Sequence, residues 1–301
     1  MTPRLLLVTL VLAHWRPHHE VVDGLFVSPN VKKTRSSSLF SASSTIVVPS
    51  ELEREVLLVA ERLWGGSKEL QRVIPDLIQN PPYASWGEAT LPASISYSER
   101  AIRWEEQACT TGDARAQHSL GLVLWSGFGI SIDEVASAKW HAAAAAQHHL
   151  DGMALLGGCL RTGTGVPTKN VMLGLQLIDY CAQQWNPTGV NKKAALLEAN
   201  DDYRGAVDLY TGCLERGNAN ALLLVNLGYC LVHGDGIDKK DVQRGEELWK
   251  EAAAMAPDEG SEEASWFLYQ QYARDDEREA RRWLQLAADL GYEEAVSMLS
   301  V

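Results

Sequence analysis

The chain has 301 residues, of which 46% are hydrophobic and 22% charged, a balance that sustains a folded core and excludes wholesale disorder. Residues 1–96 carry 9 Lys and Arg against 9 Asp and Glu, while residues 97–301 carry 18 against 30, so the formal charge of −12 belongs to the second part. An acidic surface repels phosphate backbones and argues against nonspecific nucleic-acid binding.

Taken in chain order, Arg4 precedes an apolar run from Leu5 to Ala13 that has the form of a short secretory signal. As a helix, nine residues span only about 14 Å, too short for an integral membrane span. Gly24 to Ser50 holds no acidic residue but carries Lys32, Lys33 and Arg35 before a serine cluster, a transit-peptide composition. Residues 1–50 are therefore expected to be a targeting or disordered segment outside the fold. They place the protein in the secretory pathway, the endoplasmic reticulum or an organelle reached through it, with the cytoplasm as the alternative.

Residues 51–96 read as an N-terminal helical cap and linker. Ser50 is the expected N-cap, Leu52, Val56, Val59 and Leu63 the apolar face, and Pro81-Pro82 the stop.

From residue 97 the sequence repeats. Ser126-Gly-Phe-Gly-Ile130, Thr162-Gly-Thr-Gly-Val166 and His233-Gly-Asp-Gly-Ile237 share one pattern, and their first glycines lie 36 and 71 residues apart. Trp104 and Trp140 are also 36 apart, with Trp249 and Trp283 in the same place later, each ahead of an alanine-rich stretch. This period signals stacked helical hairpins. The first helix of each unit carries the Trp, the second carries Leu120-Gly121, Leu156-Gly157 or Leu227-Gly228, and hairpins are expected to turn near Gly112, His148, Gly217 and Gly291. Gly127, Gly129, Gly163, Gly165, Gly234 and Gly236 are read as structural turn residues, placed where a helix must stop.

These motifs resemble the Sel-one-like repeat, a relative of the tetratricopeptide repeat. The resemblance covers residues 97–301, about five and a half copies, and weakens between Gly174 and Arg204. It implies an all-α, right-handed α/α superhelical solenoid whose role is a protein-protein interaction scaffold or adaptor in a multiprotein complex, such as protein quality control in the secretory pathway. Other proteins or peptides are then the expected partners, and no cofactor is expected. A β-lactamase-like hydrolase of the same family and an organellar RNA-binding repeat are the alternative readings.

No Gly-x-Ser-x-Gly, Walker lysine loop or Ser-x-x-Lys motif occurs, so a non-enzymatic role is expected. The five cysteines lack the eight-residue hairpin spacing of disulfide-stapled relatives and read as buried packing residues. His141, His148 and His149 lack acidic or cysteine partners at metal-ligand spacing, so no metal is expected. Arg103, Lys139 and Arg282 occupy equivalent first-helix positions just before the Trp. They are the expected binding residues on a concave face that the first helices are expected to line.

Overall fold

The computed structural model describes residues 48–74, 112–126, 131–256 and 260–299, and among these every regular element is a helix. Residues 1–47, the linker to residue 96, Arg103, Trp104, Cys109, Gly127 and Gly129 lie outside the described residues. In chain order the helices are α1 Ser50–Trp64, α2 Ser67–Val73, α3 Ala114–Ser126, α4 Glu134–Ala146, α5 Leu150–Thr162, α6 Val171–Gln183 and α7 Pro187–Glu198. They continue with α8 Tyr203–Glu215, α9 Ala221–His233, α10 Val242–Ala253, α11 Ser261–Tyr272, α12 Glu277–Asp289 and α13 Glu293–Leu299.

Short polar residues start most of them. Asp133, Asn170, Asp202, Asp241 and Asp276 each accept a backbone N–H three residues on and open α4, α6, α8, α10 and α12. His149, Asn186 and Asn220 do the same for α5, α7 and α9. The first helix departs from expectation by one residue: Pro49 is its cap, without a side-chain bond, and Ser50 is already helical. Its buried stripe is Val56, Ala60 and Leu63, with Leu52 and Val59 only half-buried.

Consecutive units dock where side chains are small. A Cβ on Gly157 of α5 would sit 2.9 Å from the carbonyl oxygen of Gly174 in α6, so these helices cross at backbone contact distance. The same approach recurs between Gly228 of α9 and Gly245 of α10. In the α3–α4 pair Ser137 replaces the second glycine, and its hydroxyl donates to the Gly121 carbonyl at 2.8 Å. Large residues fill what remains: Trp140, Trp249 and Trp283 are buried, and the Trp249 indole donates to the Val225 carbonyl at 3.2 Å.

The second helices touch one another in succession, α3 on α5, α5 on α7, α7 on α9 and α9 on α11. Among the described residues no two successive first helices approach to the same degree. In a curved stack the row that closes up is the inner one, so α3, α5, α7, α9 and α11 line the concave side and α4, α6, α8, α10 and α12 form the outer row. This reverses the expected assignment, because hairpin periodicity fixes which helices are neighbours but not the direction of curvature. Helix α1 packs on α4 and reaches α6, both of the outer row. Its indole Trp64 donates to the Lys139 carbonyl at 3.0 Å and meets Trp140 edge-on, with ring centroids 4.8 Å apart.

Candidate binding face

The N-caps set a common register for the inner helices. Counting from Asp113, His149, Asn186, Asn220 and Gly260, the sixth residue is Ser119, Leu155, Lys192, Asn226 or Trp266, and the ninth is Leu122, Gly158, Ala195, Tyr229 or Tyr269. Residues three apart share a helix face, and all ten are half-buried. The result is one stripe along the inner row, small and aliphatic over α3 and α5 and aromatic over α9 and α11. The aromatic end is prearranged: Tyr229 stacks on His233 with ring centroids 3.9 Å apart, and Trp266 contacts Tyr269 at 5.1 Å and stacks on Tyr292 at 4.9 Å. In α7 and α9 an amide ladder holds the register, Asn226 donating to Asn191 at 3.3 Å and Asn191 donating to Asn220 at 3.2 Å.

At the α3–α5–α7 junction lies a polar cluster that sequence spacing did not assemble. The His118 ring is 5.1 Å from His149 and 5.6 Å from His141. Asp151 accepts from Asn186 at 2.9 Å and Thr188 at 2.6 Å. Burial holds His118 and His141 below the usual imidazole range, and His118, Lys192 and His149 depress His141 further. Burial, with His118 beside it, brings His149 down to about 4. Burial alone would push the Asp151 carboxyl up, but His118, His149 and the two hydrogen bonds outweigh it and leave it below the ordinary carboxylate value. Three buried imidazoles packed around one carboxylate make a polar helix junction. Among the described residues no group of three or more His, Cys, Asp or Glu is arranged to hold a metal ion.

The expected binding residues sit elsewhere. Arg103 lies outside the described residues. Lys139 is on the outer helix α4 and half-buried beside α1, whereas it was expected to be exposed on the concave side. Arg282 is exposed on α12, also in the outer row, 3.5 Å from the Glu279 carboxylate and with its guanidinium 5.1 Å from the Trp283 ring centroid. Lys139 and Arg282 therefore both lie on the outer row.

Of the turn glycines, Gly163, Gly165, Gly234 and Gly236 take φ of 91°, 68°, 85° and 73°. The hairpins turn at positive φ at Gly112, His148, Gly217 and Gly291, and also at Trp185, which sequence reasoning passed over. The following Asn186-Pro187, an N-cap with Pro at the first helical position, was the available signal. Cys159, Cys181, Cys213 and Cys230 are free and buried. Burial pushes their thiols up, Cys213 to about 11 and Cys230 to about 12, which disfavours the thiolate. No described helix is long and apolar enough to cross a membrane.

The Sel1 repeat family matches residues 114–149, 150–177, 222–257 and 264–292. No curated protein matches the chain. Among solved structures, a Sel1 repeat protein from Oxalobacter formigenes is similar at 23% identity over 64% of this chain and 83% of that one, with a TM-score of 0.48. A protective antigen present in uropathogenic Escherichia coli strains and displaying an SLR fold is similar at 20% identity over 66% of this chain and 51% of that one, with a TM-score of 0.31. The four matched segments each join one inner helix, α3, α5, α9 or α11, to the outer helix that follows it, and so the chain carries four Sel1 repeats within an all-helical solenoid.

Proposed function

We propose that this protein is an interaction scaffold that holds an extended segment of another protein along its inner row. Sel1-repeat proteins generally act as protein-interaction scaffolds and are typically non-enzymatic. The observation that supports the reading is the stripe itself: ten equivalent positions, half-buried in five successive helices, ending in the preset aromatic set of Tyr229, Trp266 and Tyr269. Rigid aromatic side chains anchor protein interfaces at little entropic cost. The leader-like residues 1–50 support a place in the secretory pathway, where an adaptor of protein quality control is the finer form of the proposal.

The test begins with affinity purification of the C-terminally tagged protein from its own cells, followed by calorimetry on the recovered partner. Tyr229→Ala and Tyr269→Ala are expected to weaken binding by about 1–3 kcal/mol each. Arg282→Glu, on the outer row, leaves it unchanged. Loss confined to the outer-row variant would overturn the assignment.

A further inference from the structure

The last turn of α1, helix α4 and the loop after α5 enclose an open cleft of about 410 Å³ on the outer side of the solenoid. Leu63, Val135, Val166 and Pro167 form its apolar floor, and Val135 is 54% exposed. Arg62 and Lys139 stand on its two walls. The Lys139 carbonyl is occupied by the Trp64 indole, which fixes the α1 wall against α4, but that bond leaves the ammonium untouched.

These two cations are among the described Lys and Arg side chains for which the structure shows no ion pair. Arg72, Lys193, Arg244 and Arg281 each lie within 3.3 Å of a carboxylate, whereas neither Arg62 nor Lys139 ion-pairs with any described carboxylate. In a chain of net charge −12, two uncompensated cations over one apolar floor are a local reversal of sign. Like charges brought together repel unless a counter-charge joins them. The complementary ligand has one acid between the cations and an apolar group beneath.

We propose that this cleft docks a peptide segment of a partner protein in which a carboxylate side chain is flanked by leucine-like residues. The carboxylate lies between Arg62 and Lys139, and its apolar neighbours cover Val135, Leu63 and Val166. The site is separate from the inner row and does not depend on the interaction assigned there. It exists only when α1 is docked, because α1 supplies Arg62 and Leu63.

The test is calorimetric titration of the full chain with an acetylated, amidated Leu-Glu-Leu-Leu peptide, so that the glutamate is its sole charge. Binding is expected, weakened about fivefold or more by Lys139→Met or by Arg62→Gln, as fits a charge pair at a partly exposed site. The same loss is expected when the peptide carries Gln in place of Glu, and no change is expected in Arg282→Gln. Melting curves check each variant, and Arg62→Gln, at an exposed position, serves if Lys139→Met does not fold. Absence of binding, equal binding by the Gln peptide, or equal binding by both cleft variants would overturn the site. Binding of decanoate in place of the peptide would overturn its assignment to a peptide.

Discussion

Single residues carry the turns, and their demands differ. Gly165 and Gly217 both sit at positive φ, 68° and 73°, yet their surroundings are opposite. A Cβ on Gly165 would overlap the Glu134 carbonyl oxygen at the start of α4, while one on Gly217 would meet nothing within 4 Å. Gly217→Ala then costs only the left-handed backbone preference, roughly 1–2 kcal/mol. Gly165→Val adds overlap with a fixed backbone and costs at least the upper end of roughly 1–3 kcal/mol for a strained position. Thermal denaturation of the two variants checks the order, and equal melting temperatures would show that the Gly165 loop gives way. Trp185 makes the complementary point. It holds φ 55° without being glycine, with the Arg216 guanidinium 3.8 Å from its ring centroid, so a rule that looks for glycine at every turn misses it.

At the scale of helices, the α3–α5–α7 junction ties stability to pH. The groups that face one another there are His118, His141, His149, Asp151 and Lys192, with Arg115 and Asp113 near His149. Each histidine has its folded pKa lowered, so the unfolded chain binds protons first as pH falls. Stability is complete above about 6.5, the unfolded value, and is lost as pH falls from there toward about 4, the folded value of His149. One histidine contributes at most about 1.4 kcal/mol per pH unit in that window. Asp151, held below its ordinary value, loses its own contribution only at more acid pH. His149→Asn keeps the cap on the Gly152 N–H, at 3.2 Å in the parent, while removing one titrating ring. Denaturant unfolding at pH 7.5, 6 and 4.5 is expected to show a shallower loss in this variant, and an identical slope would remove His149 from the account.

Helices were the legible part of this protein. The Gly-x-Gly loops and the Trp spacing locate most hairpins because each glycine answers a backbone requirement that no other residue meets cheaply. Between α7 and α8 the turn passes through Asp201 at φ 62°, outside the glycine pattern, and the repeat is blurred there. The docking of α1 on α4 was not legible, since a buried stripe of Val56, Ala60 and Leu63 announces a partner without naming it. The histidine junction was hidden for the same reason: His118 and His149 are 31 residues apart and meet only through the stacking of α3 on α5.

For the whole molecule, curvature decides which helices face inward. The sequence period gives neighbours and leaves the concave side undetermined, which is why Lys139 and Arg282 were expected on the binding face and lie on the outer row. The acidity is concentrated late, with 17 Asp and Glu against 8 Lys and Arg from residue 219 onward, around the aromatic end of the inner stripe. A partner segment bearing basic residues would be steered to that end at low ionic strength. Site-specific photo-crosslinking in the native cell tests the inner-row claim most directly, with benzoylphenylalanine placed at Tyr229 on the inner helix α9 or at Gln243, exposed on the outer helix α10. The structure predicts a covalent partner adduct from Tyr229 and none from Gln243, and the same partner captured from Gln243 but not from Tyr229 would contradict it.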